Sequence, residues 1–164
     1  MSKTEKNLKE AFAGESQANR KYLAFAKQAE KEGLYQVAKL FRAVAEAETV
    51  HAHAHLRILG GIRSTEENLK EAIEGETYEF KSMYPTMIEE AKAEGNKDAE
   101  RSFYYANEVE KVHAELYKKA LELMEKLEES DYYVCSVCGY TVSKEAPDKC
   151  PVCGSVKQAF FKVD

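Results

Sequence analysis

An internal repeat constrains the fold of this chain more than any other feature. The segment NLKEAFAGES at residues 7–16 returns as NLKEAIEGET at residues 68–77, with seven of ten residues identical. A second block, residues 29–52, returns as residues 91–114. The first block is offset by 61 residues and the second by 62, so the second copy carries one extra residue. Because a stable solenoid needs about three or more repeats, two copies favour a duplicated helical hairpin.

Each copy has the apolar periodicity of two helices. The Glu-Gly pairs at residues 32–33 and 94–95 predict helix ends, since Gly readily adopts the left-handed cap conformation. A capping box at residues 64–67 predicts a short helix within the connection between the hairpins, and Pro85 is expected to kink or interrupt the third long helix. We expect long helices over residues 3–32, 34–59, 75–94 and 97–129. Short turns within the hairpins and a long crossover between them are the layout of an all-α, ferritin-like four-helix bundle.

Composition excludes several partners. The 164 residues carry a formal net charge of −5, which argues against nucleic acid and anionic membranes. No apolar run approaches the roughly 20 residues of a membrane span, and the charged start of the chain is unlike a secretory signal. All four cysteines follow residue 134, so the helical part has no disulfide. We therefore expect a cytoplasmic protein.

The two copies agree at residues that can hold metal ions. Glu15 recurs as Glu76, and the pair Glu48-x-x-His51 recurs as Glu110-x-x-His113. Residues three apart share a helix face, and one Glu from each of two helices with one Glu-x-x-His from each of the others is the dimetal carboxylate pattern of four-helix bundles. The alternative is a set of solvated glutamates, because the chain is rich in Glu. Small and apolar neighbours favour the metal site.

The extra residue falls next to Glu79. The interval from Glu15 to Tyr22 is seven residues, whereas that from Glu76 to Tyr84 is eight. A single insertion in a helix is often absorbed as a π-bulge, and we predict one between Glu76 and Tyr84. Glu79 is then either a further metal ligand or a surface carboxylate. The two tyrosines are either core aromatics or catalytic hydrogen-bond donors.

The C-terminal tail has a second metal pattern. Cys135-x-x-Cys138 and Cys150-x-x-Cys153 supply four thiols for a tetrahedral site, which fits zinc or iron. Disulfides are less consistent with two such Cys-x-x-Cys pairs, and the sequence around the cysteines favours iron. We expect a helical domain over residues 1–130 and a β/loop metal domain over residues 131–164, which is too short to fold without its metal.

These motifs together resemble the rubrerythrin family over the whole chain. The resemblance rests on Glu15 in AFAGES, Glu48 and His51 in EAETVHA, Glu76 and Glu79 in EGETYE, Glu110 and His113 in EVEKVHA, and the four cysteines. It implies a ferritin-like domain with two iron ions and a rubredoxin-like domain with one. It also implies that Glu48 and Glu110 bridge the irons, that Glu15 is a terminal ligand of one, and that Glu76 and His113 bind the other. The first iron is expected to exchange Glu79 for His51 on reduction.

The resemblance further implies a peroxidase that reduces hydrogen peroxide to water. Glu79, His51, Tyr22 and Tyr84 are the expected catalytic residues, and the Fe(Cys)₄ site relays electrons from a soluble donor such as rubredoxin with its NAD(P)H-dependent reductase. The alternatives are a ferroxidase or iron-handling protein, and a zinc-stapled binding module without turnover. We expect a homodimer or larger assembly, with the tail of one subunit near the bundle of another, because a tail after a long fourth helix should not fold back onto its own bundle.

Overall fold

A computed structural model describes residues 1–163, so the last position of the predicted domain 131–164 lies outside the described residues. The described chain divides into two compact units. The first unit is Met1–Arg63 and the second begins at Ser64. The predicted boundary between residues 130 and 131 therefore stays a prediction.

The first unit is a hairpin of helices α1 (Lys3–Lys31) and α2 (Tyr35–Ile58), close to the predicted bounds. The Ser2 hydroxyl accepts a hydrogen bond from the Glu5 amide and caps α1, and Gly33 ends the turn with φ of +76°. Ala38, Ala45 and Ala52 recur every seven residues and are buried. Small side chains at this spacing let the two helix backbones approach closely and hold the residues around Glu48 in a fixed register.

The second unit contains α3 (Thr65–Tyr78), a π-helical segment (Glu79–Met83), α4 (Tyr84–Ala93) and α5 (Lys97–Leu123). Ser64 and Glu67 form the predicted capping box. The helix that this box opens is not a separate short one, because α3 continues without a break through residue 75 into the π-helical segment. The prediction that the third long helix begins at residue 75 was therefore wrong. Helix α5 begins as predicted but ends at Leu123, since Met124 has φ of +43° and stops the helix.

The π-helical segment confirms the predicted bulge. It spans Glu79–Met83, and the Tyr84 amide donates to the Glu79 carbonyl five residues earlier. One extra residue in this wider turn lets the following helix keep the face that the first copy has. Pro85 lies directly after the π-helical segment, at the start of α4.

The tail forms a three-stranded antiparallel sheet. A 3₁₀ turn at Met124–Lys126 precedes β1 (Tyr132–Cys135), which lies between β2 (Thr141–Ser143) and β3 (Phe160–Val163). Val134 is paired with Thr141 on one side and with Phe161 on the other. This register fixes the loop between β1 and β2, which carries the first cysteine pair.

Among the residues that the structure describes, no helix is both long and apolar enough to cross a membrane.

Candidate metal centres

The first unit brings three predicted ligands together. Glu15 on α1 lies with Glu48 and His51 of α2, and each offers a ligand atom within 4.8 Å of the other two. His51 Nδ1 and Glu48 Oε2 are 2.9 Å apart. The Glu48 side chain is 15% exposed and that of His51 is 57% exposed. This group, called triad 1, can offer two carboxylates and one imidazole to a cation.

A buried amide supports triad 1, and the sequence patterns did not reveal it. Asn19 lies one turn after Glu15 and its side-chain amide donates to the Ala45 carbonyl at 2.7 Å and to Thr49 Oγ1 at 2.8 Å. Both acceptors flank Glu48 on α2. The bonds therefore tie the two ligand-bearing helices together where the ligands meet. The sequence shows only an Asn one turn after a ligand, and its burial becomes visible in the structure.

The second unit repeats the arrangement as triad 2. Glu76 of α3 lies with Glu110 and His113 of α5, again with ligand atoms within 4.8 Å of one another. His113 Nδ1 and Glu110 Oε2 are 2.7 Å apart. The side chains of Glu110 and His113 are 15% and 25% exposed. The two Glu-x-x-His motifs thus have the same internal geometry, but His113 is much more covered than His51.

The charges of triad 2 suit a divalent cation. Burial raises the pKa of Glu76 to about 7, with a further contribution from the neighbouring Glu110. Burial also acts against ionisation of Glu110, but its hydrogen bonds with His113 and Glu76 lower its pKa overall. The hydrogen bond to Glu110 raises the pKa of His113. Without a metal the triad therefore holds extra protons, which a divalent cation would replace.

Glu79 lies beside triad 2 without belonging to its tight cluster. Its side chain is half-buried in the π-helical segment, and burial followed by the charge of Glu110 raises its pKa. It therefore lies within electrostatic reach of the triad. Its ligand role, like the roles of the other predicted site residues, stays a prediction.

The two tyrosines occupy matching places in the copies. The Tyr22 ring lies 6.2 Å from Phe41, and the Tyr84 ring lies 6.3 Å from Phe103. Burial, and then the charges of Glu79 and the triad carboxylates, raise the pKa of Tyr84. Both rings are thus packing residues, and Tyr84 also keeps its hydroxyl proton close to the carboxylates.

The four cysteines form a separate cluster. Cys135 and Cys153 have sulfurs 3.7 Å apart, those of Cys138 and Cys150 are 3.6 Å apart, and none of the four forms a disulfide. A tetrahedral ion with metal–sulfur bonds of about 2.3 Å places its sulfurs about 3.8 Å apart. The spacing therefore fits one four-coordinate ion.

The shifted pKa values of the cysteine thiols also fit a metal-binding cluster. Burial raises the pKa of Cys138 and of Cys150. For Cys153 burial acts in the same direction, but hydrogen bonds with Ser155 outweigh it and lower the pKa to about 6. A bound cation would favour the thiolate form of all four.

The tail contacts its own helix α5 at triad 2. His113 Nε2 lies 3.0 Å from Thr141 Oγ1, and Gly139 lies against the buried Val109. The expectation that the tail cannot easily fold back to the middle of its own bundle was therefore wrong. The early end of α5 at Leu123 explains the difference, because the eight residues from 124 to 131 easily cover the roughly 15 Å between His113 and the helix end.

Comparisons with known proteins agree with these sites. The family model described as Rubrerythrin matches residues 6–121, and the model described as Rubrerythrin, rubredoxin-like domain matches residues 133–161. The chain belongs to the rubrerythrin family. This membership confirms the predicted fold class, a ferritin-like helical bundle with a small rubredoxin-like domain. It also confirms the predicted cofactors, a di-iron site and a rubredoxin-like iron site.

Individual relatives cover nearly the whole chain. Rubrerythrin-2 of Clostridium acetobutylicum is 35% identical over 93% of this chain and 92% of that protein. Rubrerythrin of Porphyromonas gingivalis is 38% identical over 98% of this chain and 90% of that protein. A structure described as fully reduced, all-ferrous nigerythrin aligns with a TM-score of 0.61 and 35% identity, over 99% of this chain and 88% of that one. Proteins of this family are generally peroxidase-type oxidative-stress proteins that use redox partners such as rubredoxin.

Proposed function

We propose that this protein reduces hydrogen peroxide to water at a di-iron site, with electrons supplied through the Fe(Cys)₄ site of its tail. The proposed ligands are the members of triads 1 and 2 together with Glu79. The observation that carries the proposal is the contact between the cysteine-bearing tail and His113 of triad 2. A redox site held against a metal ligand suits electron transfer more than iron storage.

The irons would supply two electrons to one peroxide molecule, which needs two protons to leave as two water molecules. The protein's own groups can manage those protons. Because burial and nearby carboxylates raise the pKa of Tyr84, its phenol stays protonated and can donate a hydrogen bond. Tyr22, which packs against Phe41 in the first copy, would be the matching hydrogen-bond donor at triad 1.

The π-helical segment supports a movable ligand at Glu79. Its backbone hydrogen bonds are those of a wider turn, which costs free energy and persists mostly at functional sites. A carboxylate on such a segment can change place with less disruption than one on a regular helix. This agrees with the exchange between Glu79 and His51 that family resemblance implies, and the 57% exposure of His51 leaves that ring room to move.

The physiological setting belongs to the same proposal. A soluble donor such as rubredoxin, reduced by an NAD(P)H-dependent reductase, would feed the tail. Four free cysteines and the acidic net charge of −5 fit the cytoplasm, without nucleic acid or membrane as a partner. A homodimer or larger assembly is also proposed.

Anaerobic stopped-flow mixing tests the function. Iron-loaded protein is first analysed for metal and by absorption spectroscopy, then reduced and mixed with hydrogen peroxide or with dioxygen. We expect much faster oxidation by peroxide. Equal rates with both oxidants, or reaction with dioxygen alone, would favour a ferroxidase. A colourless protein that contains only zinc would favour the binding module without turnover.

A further inference from the structure

The two Glu-x-x-His motifs differ in what surrounds the outer nitrogen of the imidazole. In both motifs Nδ1 faces the glutamate three residues earlier, at 2.9 Å for His51 and 2.7 Å for His113. The Nε2 atom of His113 is also bonded, because Thr141 Oγ1 lies 3.0 Å away, and the backbone of Gly139 is a further hydrogen-bond partner of His113. The His113 side chain is correspondingly less exposed, at 25% against 57% for His51. The contact with the tail thus explains why His113 is less exposed than His51, although both lie in the same repeated Glu-x-x-His motif.

The hydroxyl of Thr141 has a defined direction. It donates to the Gly139 carbonyl at 3.0 Å. A hydroxyl has only one hydrogen, so towards His113 its oxygen accepts. Nε2 must then carry a hydrogen, and Nδ1 faces Glu110. In the metal-free protein Nδ1 also carries a hydrogen, which it donates to Glu110 at 2.7 Å, and a cation bound at Nδ1 would replace that hydrogen. Ligating histidines commonly have their outer N–H fixed in this way, and loss of such a partner typically weakens metal binding 10–100-fold.

The Thr141 hydroxyl, which accepts from His113, is held in place by residues next to the first cysteine pair. Gly139 directly follows Cys138, and its amide donates to the Cys135 carbonyl at 2.8 Å. Thr141 is paired with Val134 in the sheet. The position of the threonine hydroxyl is therefore set by the loop that carries the first cysteine pair.

We propose that Thr141 is a positioning residue for triad 2, fixing the His113 ring with Nε2–H towards the tail and Nδ1 towards the metal. The inference rests on the proposed metal role of triad 2 but does not depend on peroxide as the substrate. It links the two metal modules of one chain through the Thr141 hydroxyl, which acts beside the hydrogen bond between His113 and the Gly139 backbone.

Zinc-loaded full-length protein provides a test that is independent of turnover, because zinc is diamagnetic and redox-inert. The variants are Thr141→Val, which keeps the shape and removes the hydroxyl, Thr141→Ser, which keeps the hydroxyl, and the control Ser143→Ala, two residues along the same strand. Nitrogen-15 NMR reports the His113 ring protons, and competition with a chelator reports zinc affinity. We expect wild type and Thr141→Ser to show a hydrogen-bonded Nε2–H signal. In Thr141→Val this signal should weaken, because the Gly139 backbone remains as a partner but the hydroxyl is gone, and zinc binding at triad 2 should be about 10-fold weaker.

Several outcomes would overturn the inference. They are an unchanged ring signal and zinc affinity in Thr141→Val, an equal loss in Ser143→Ala, and wild-type protein in which zinc does not reach His113. Peroxide turnover of the iron-loaded wild type is measured separately. If wild type fails to reduce peroxide but zinc binding depends on Thr141, only the proposed function fails. If turnover is present and Thr141 has no effect on the ring or on zinc, only the positioning role fails.

Discussion

Replacing Glu76 with Gln should stabilise the metal-free protein and weaken metal binding. In the metal-free fold the pKa of Glu76 is raised from an ordinary 4.5 to about 7, first by burial and then by Glu110. The folded state therefore binds this proton more tightly than the unfolded state does. Stability contributed by Glu76 is present below about pH 4.5 and is lost as the pH rises to about 7. Gln does not titrate, and its amide can donate to Glu110 in place of the carboxyl proton.

The size of the effect follows from that pKa. A shift from 4.5 to about 7 corresponds to an upper bound of about 3.5 kcal/mol, at roughly 1.4 kcal/mol for each pH unit. The side chain is only half-buried, so water screens part of this cost. We therefore expect Glu76→Gln to unfold with a free energy about 1–2 kcal/mol higher than wild type at pH 8, and nearly equal to wild type at pH 4.5.

Chemical denaturation with a chelator present, followed by the helical circular dichroism signal at pH 4.5, 6 and 8, measures this difference. The matched control is Glu74→Gln, since Glu74 lies on the same helix and is exposed. The control should show no comparable pH-dependent gain. With metal present the order should reverse, because a neutral amide is a poorer ligand than a carboxylate. A stability difference that does not grow between pH 4.5 and pH 7 would refute the assignment of Glu76 to a crowded cation site.

Two further predictions concern the tail and the π-helical segment. Cys150→Ser should leave the helices and the iron at the triads intact, by circular dichroism and metal analysis, while steady-state peroxide turnover with an external donor falls to background. Normal turnover would make the tail purely structural. Deleting Lys81 should restore a regular helix between Glu79 and Met83, and the variant should still bind two irons. Its single-turnover oxidation by peroxide should be slower by on the order of 100-fold, because small misplacements of reacting groups have effects of this size. An unchanged rate would show that the bulge is not needed.

Features that the repeat encodes could be predicted from the sequence. Comparison of Glu15–Tyr22 with Glu76–Tyr84 located the π-helical segment, because one surplus residue has to be absorbed if later positions are to keep their face. The ends at Gly33 and near Gly95 were also predictable, since a left-handed glycine is a local stop signal.

Other features depend on contacts or backbone states that local sequence does not report. The capping box at Ser64 marks where a helix begins but carries no information about its length, so the sequence could not show that α3 runs on into the π-helical segment. The end of α5 rests on the positive φ of Met124, a residue type that rarely adopts it. Thr141 and His113 are 28 residues apart in sequence, and nothing local to either predicts their contact.

Two features break the symmetry of the repeat, the π-helical segment and the cysteine-bearing tail, and both lie next to triad 2. Triad 1 lies on regular helices and leaves His51 57% exposed. Triad 2 has the π-helical segment and Glu79 next to one ligand, and the cysteine-bearing tail against another. A duplicated hairpin supplies two equivalent ligand sets, which would treat both irons alike. The proposed peroxide reduction with an attached electron source would need them to differ, with one imidazole held by the tail and other ligands free to move. The extra residue and the tail introduce that difference, which explains why a chain can repeat its ligands closely and still depart from symmetry at two places.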